Sequence, residues 1–302
     1  MRTPLRKPIL ADYVYLVCLS IIWSSAFMFI KIAVTHIPPF TMTSVRLCAA
    51  GAGLFVIYLY FSKGRFPSKQ QILTILPLAS LSAIFGNAAP FSLIAYGETK
   101  VDSGIAAILM GLMPLMTVTL AHLSTQDEKL NIYKFSGILM GFFGLVILLG
   151  HDILSPKQDT WFYQLAIMAG ACCYAINSLI MRYLSEGDKL FVAMLISVLS
   201  FIFLLPVAYL IEGNQFHAFL DAPLSAVAST LILGIIHAGL AILVMLRILK
   251  YCGASFFSQV NFIIPIFGFL WGFILLGEAF QINILVALIA ISAGIFLAHK
   301  GS

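Results

Sequence analysis

Ten apolar runs fill most of this 302-residue chain, at 13–34, 39–61, 72–97, 103–123, 132–150, 161–183, 190–211, 223–246, 254–277 and 281–298. Each is close to the roughly 20 residues that a helix needs to cross bilayer hydrocarbon. Backbone N–H and C=O groups find no water in that medium, so each run must satisfy its own by coiling into a helix. Composition agrees, with 61% of residues hydrophobic and 10% charged, where a soluble domain carries roughly a quarter charged residues. The mean hydropathy is +1.04. The expected fold class is an all-α membrane protein with ten transmembrane helices.

Polar or Pro/Gly-containing breaks separate the runs: Pro38-Pro39, 63–67, 125–129, 151–160, 185–189 and 212–223. The basic stretch at the start, Arg2 to Lys7, precedes a run too long for a signal peptide, with no small-x-small cleavage site after it, so it reads as an uncleaved first span. Five cysteines, four inside apolar runs, match no metal or disulfide spacing and read as small packing residues. With the N-terminus cytoplasmic, 13 of the 17 Lys and Arg residues fall on the inner side and 4, Lys31, Arg46, Lys100 and Lys157, on the outer. That bias predicts both termini in the cytoplasm and a multi-pass protein of the plasma (inner) membrane. The net charge of +5 is therefore a topology signal and not a nucleic-acid one. All twelve acidic residues fall outside the ten runs, leaving His237 as the one ionisable group deep within a span.

The two halves, 1–150 and 151–302, align at an offset of about 150 residues. Pro114 then meets Pro265, Glu128 meets Glu278, Lys31 meets Arg182, Gly144 meets Gly294, and Asn87 falls opposite His237. Each half holds five runs, an odd number, so the second must enter the membrane upside down. Inverted repeats are a common architecture of secondary transporters, with substrate near the midplane where the halves meet.

These landmarks resemble those of the EamA-type branch of the drug/metabolite transporter (DMT) superfamily. The matching stretches are Trp23-Ser-Ser-Ala-Phe27, Pro39 followed by Arg46, and Pro114 with Glu128, Gly137 and Gly144. The second half repeats the order with Pro265, Gly277-Glu278 and Gly294. Ser24 stands where that family often has glycine, and the counterpart of Arg46 in the seventh run is apolar. The resemblance implies transport: members export amino acids and related metabolites or toxic organic cations, and some import nutrients. It also implies that spans one to four and six to nine surround the cavity, with five and ten as scaffold.

A transport site needs polar or aromatic groups at mid-depth. The substrate-binding candidates are Trp23, Ser24, Asn87, Met110, Tyr174, Asn177, His237 and Asn261. Each has a packing alternative: a buried Asn bridges helices, and a Tyr or Trp needs one partner for its polar atom. Met110 suits an adaptable apolar wall. Lys31 and Arg46 read as snorkelling, or as bonded to a loop acid or backbone carbonyl. Glu128 and Glu278 read as caps of the helices they precede. Gly137-x-x-x-Gly141 and Gly268-x-x-x-Gly272 permit close helix approach, within the chain or between protomers of a homodimer.

The expected function is export of amino acids or related small molecules by alternating access, by a monomer or homodimer. Without a membrane carboxylate, the energy source is either the solute gradient or protons coupled through His237. An alternative is an importer or exchanger of anionic, nucleotide-like metabolites, which Lys31 and Arg46 would help. A membrane-embedded enzyme is the alternative of another class, but it needs a catalytic pair that the sequence does not supply. No GxxxxGK[ST] loop is present, and no cofactor, metal or nucleic acid is implied.

Overall fold

The computed structural model describes residues 7–124, 131–154, 160–184, 188–279 and 281–300. Among them every regular element is a helix. α1 spans Leu10–Val34, α2 Pro39–Ser62, α3 Lys69–Glu98 and α4 Ser103–Leu123. α5 is Ile132–Leu154, α6 Trp161–Tyr183 and α7 Lys189–Glu212. α8 spans Leu224–Tyr251, α9 Val260–Leu275 and α10 Ile282–Lys300. Eight of these are long and apolar enough to cross a membrane, while the apolar helices Ile132–Leu148 in α5 and Val260–Leu275 in α9 are shorter. The run expected at 254–277 is divided, because a turn at Ser258-Gln259 separates Gly253–Phe257 from α9.

Local chemistry sets the helix ends. Pro39 opens α2 at a position where no intrahelical N–H is required. Ser68 and Gln71 form a reciprocal capping box at α3, and the Asp188 carboxylate accepts from the amides of Leu190 and Phe191 at α7. Gly277, at φ +67°, turns the chain after α9 in a conformation that disfavours side-chain-bearing residues.

Acidic residues depart from the expected pattern. Asp12, Glu98 and Glu212 lie within α1, α3 and α7. The reading that every carboxylate falls outside the spans is therefore corrected. The cause for Glu98 is a helix that runs one residue further than its apolar stretch.

Helices pack in pairs across the halves: α5 on α10, α2 on α7 and α4 on α9. The outer contacts continue with α3 on α6, α1 on α8, α1 on α9 and α4 on α6. Small residues allow the closest of these. A Cβ added at Gly137 would strike the carbonyl of Gly294, and one added at Gly294 would strike the carbonyl of Gly137. Gly268 gives the same intimacy against Ala107 of α4. The main apolar core, including Phe27, Ile108, Leu109, Ile167, Phe269 and Ile291, lies where α1, α4, α6, α9 and α10 converge.

Candidate functional site

Two helices lose their α-helical register at equivalent places. In α3 the stretch Ile84–Ala88 is π-helical, and the amide of Ala89 bonds to the carbonyl of Ile84, five residues back. In α8 the stretch Leu233–Leu240 is π-helical, and the amide of Ala241 reaches Ile236. Pro90 supplies a cause in α3, since it has no N–H to continue the α ladder. Single π turns recur at functional sites, because the extra residue re-aims side chains and loosens the local ladder. The first turn carries Asn87 and the second His237.

His237 is buried and tied to α1. Its Nε2 lies 3.0 Å from Ser25 Oγ, and its Nδ1 lies 3.2 Å from the carbonyl of Ile232. A carbonyl only accepts, so Nδ1 carries a proton toward Ile232, while Ser25, whose hydroxyl donates to the carbonyl of Ile22 at 2.8 Å, meets Nε2. The indole N–H of Trp23 donates to the backbone carbonyl of His237 at 3.2 Å. Phe29 meets the imidazole edge to face at 5.6 Å. Thus α1 and α8 are joined by Trp23, Ser25, Phe29 and His237. Ser24 faces another way: its hydroxyl accepts from the indole N–H of Trp271 on α9 at 3.0 Å. Neither Ser25 nor Trp271 stood out in the sequence, since a serine and a tryptophan among apolar residues carry no pairing signal.

Asn87 points to α7, donating to Ser200 Oγ at 3.2 Å. Ser200 Oγ in turn lies 2.6 Å from the carbonyl of Ile196 and 3.1 Å from that of Ala83. Asn177 on α6 accepts from the Ser82 hydroxyl of α3 and lies against Gly86. The structure therefore gives both asparagines helix-bridging partners. Met110 is half-buried beside the main core, next to the Gly111-Leu112 break in α4. Asn261 is half-buried in the first turn of α9, where its backbone N–H donates to the carbonyl of Ser258.

A second group gathers near the end of the bundle where α3 stops. Arg46 on α2 is buried, 5% exposed, with its guanidinium 3.7 Å above the Phe91 ring of α3. Its Nε has no acceptor among the described residues. Tyr174 packs at 6.2 Å from Phe91, and both it and Glu98 act on Arg46 through space. Lys31 extends from α1 to donate to the carbonyls of Glu98 and Val101, at 2.9 and 2.8 Å. Its backbone-carbonyl partners match one of the roles expected of it. Glu278 departs from its expected role. It caps the distant α4 and not the following α10, accepting from the amide and hydroxyl of Ser103 at 2.6 Å each and from the amide of Gly104 at 2.9 Å. Glu212 treats α2 alike, accepting from the amides of Phe40 and Thr41 and from the Thr41 hydroxyl. Glu128, the expected counterpart of Glu278, lies outside the described residues.

An all-helical protein with many membrane-crossing helices and polar side chains joined between them is a multi-pass membrane protein. The model of the EamA-like transporter family matches the chain twice, over residues 11–150 and 161–299. The chain belongs to that family. It is 25% identical over 292 residues to the uncharacterized transporter YoaV of Bacillus subtilis, covering 93% of this chain and 94% of that one. It is 30% identical over 165 residues to the uncharacterized inner membrane transporter YedA of Escherichia coli K12, covering 54% and 50%. One solved crystal structure aligns at a TM-score of 0.67 and 18% identity, covering 97% of this chain and 99% of that one. At that identity the likeness carries the fold alone. Family and relatives together make small-molecule transport the general activity, and a transporter, not an enzyme, the class they point to.

Proposed function

We propose that this chain is a secondary transporter that exports amino acids or related metabolites by alternating access between two inverted five-helix halves. The observation that carries it is the pair of π turns at equivalent places in α3 and α8, one bearing Asn87 and the other His237. Each turn is bound across the bundle, to Ser200 of α7 and to α1. The helix pairing supports the inversion. Exchanging the halves turns the α3–α6 contact into α8–α1 and the α1–α9 contact into α6–α4, all of which occur. Trp23, Ser24, Met110, Tyr174 and Asn261 line the path in this reading, with Asn87, Asn177 and His237 fixing the helices around it. The excess of Lys and Arg on the inner side supports both termini in the cytoplasm and the Glu98 end outside.

One observation favours a second reading. The buried Arg46 guanidinium has an Nε without an acceptor among the described residues, which suits a cargo bearing an anionic group. Exchange of anionic, nucleotide-like metabolites would use it as fully as an amino-acid carboxylate would.

The deciding experiment is uptake of labelled phenylalanine, tryptophan, serine and threonine into proteoliposomes of the full chain. Saturable uptake of one class, competed by its relatives, supports the amino-acid reading. Nucleotide uptake without amino-acid uptake replaces it with the second.

A further inference from the structure

We propose that Glu98 is the proton-binding group that couples transport to a proton gradient, taking up one proton from the outside for each solute expelled. This rests on the reading of the chain as a secondary transporter. Glu98 ends α3 and is fully buried, 0% exposed, and neither of its carboxylate oxygens has a hydrogen-bond partner among the described residues. The acid near it is placed differently: Glu278 holds the start of α4 through two backbone amides and a hydroxyl, as Glu212 holds the start of α2 elsewhere. Lys31 is likewise engaged, but by the backbone carbonyl of Glu98 and not by its side chain. A buried ion without partners is costly, and in membrane helices such a group is normally retained for function.

The charged groups acting on the Glu98 carboxylate are Lys31 of α1, Arg46 of α2 and Glu278 from the segment before α10. On α6, which packs along this half of α3, Tyr163 stacks on Tyr96, and Tyr174 lies beyond, next to Phe91. Asp102 precedes α4. A recess of about 510 Å³, lined among others by Lys31, Asp102 and Glu278, opens beside this group. Lys31 and Glu278, which flank Glu98, face this recess, and the Glu98 carboxylate lies behind them.

The coupling follows from burial. With the helices closed, no donor meets the carboxylate, so the neutral acid is the form this arrangement tolerates. When Lys31 releases the α3–α4 turn, water reaches the carboxylate and the charged form is accommodated. Proton binding therefore favours one arrangement over the other, as a coupled ligand must. The proton leaves toward the cytoplasm when the opposite end opens, and the solute moves the other way.

The test compares the wild-type chain with Glu98→Gln in two measurements. The first needs no solute: protons bound per chain by purified protein are read with a pH dye from mildly acidic to mildly alkaline conditions. Wild type should bind one proton more than the variant over this range. Equal curves overturn the proposal whichever solute is carried. The second uses proteoliposomes and the four labelled amino acids, with and without a gradient of one pH unit. Wild type should accumulate solute up to about tenfold per proton moved. E98Q should lose that accumulation yet still exchange labelled for unlabelled solute across a gradient-free membrane. Accumulation by E98Q equal to wild type overturns the proposal and leaves the transporter reading standing. If no amino acid moves in folded protein, the amino-acid reading falls, and proton binding alone decides the role of Glu98.

Discussion

Glu278 and Ser103, 175 residues apart, are joined by two hydrogen bonds of 2.6 Å, from the Ser103 amide and from its hydroxyl to the same carboxylate oxygen. A third, from the Gly104 amide, takes up the other oxygen. The carboxylate thus satisfies amides that the start of α4 cannot bond within its own helix, and complements the positive end of its dipole. It also ties α9 to α4. Gly272 makes room, because a Cβ there would fall on the Glu278 carboxylate.

Glu278→Ala is expected to cost about 1–3 kcal/mol, since it leaves buried amides without an acceptor. Glu278→Gln should recover part of that. Thermal unfolding in detergent measures both, and an unchanged midpoint for the alanine variant would show the cap to be dispensable.

Glycines divide into two groups by what surrounds them. Gly294→Val is expected to force α5 and α10 apart, at about 1–3 kcal/mol. Gly53→Ala on α2 meets nothing within 4 Å and should be neutral or gain up to about 1 kcal/mol from higher helix propensity. The two variants melt on the same side of wild type only if the α5–α10 contact is looser than it is here.

The Ser24–Trp271 bond fixes α1 to α9. Ser24→Ala leaves the indole N–H of the half-buried Trp271 unpaired and should cost about 1 kcal/mol. In Trp271→Phe the same serine change should cost less. A double-mutant cycle reads the coupling, and strictly additive effects would deny the bond any energetic role.

His237→Gln removes the imidazole that Ser25 meets and loosens α8 from α1, so solute flux should fall at least about tenfold, the effect of losing about 1.4 kcal/mol of positioning. The flux that remains should still rise with an inward proton gradient, because Glu98 is intact. A variant with residual flux indifferent to pH would return the coupling role to His237.

Arg46→Lys is not a conservative change. The guanidinium lies over Phe91, and an ammonium offers neither a planar face nor the fork. The variant should raise the apparent KM for an anionic or zwitterionic solute by about tenfold, from loss of about 1–2 kcal/mol of stacking and bidentate contact. The measurement is concentration dependence of uptake beside an uncharged analogue, whose KM should hardly move.

The apolar runs and their breaks were readable because hydrocarbon imposes length and helicity directly on sequence. What was lost lay at the ends of runs. Glu98, in Tyr96-Gly-Glu-Thr-Lys100, has the composition of an exposed turn, and only the packing of α6 and the reach of Lys31 bury it. Glu278 stands where a cap for α10 would stand, but the turn at Gly277 carries it to α4. The π turn in α3 had a marker in Pro90. That in α8 had Gly234 and Gly239 alone, which also occur in ordinary packed helices. Pairings such as Trp23 with His237 depend on how α1 meets α8, and no local pattern reports that.

Each π turn also resets angular phase. It fits one more residue into the helix than an α ladder would, so everything beyond is rotated by about 100° relative to an uninterrupted helix. Past Ile84–Ala88 that rotation decides which side chains of α3 look inward: Phe91 beneath Arg46, and Glu98 into the protein and not the lipid. The azimuth of the buried acid is thus set about ten residues upstream of it: closing Ile84–Ala88 into an α ladder with no residue removed would swing it toward the bilayer without altering any side chain that it touches, whereas deleting one residue there would leave it facing the protein.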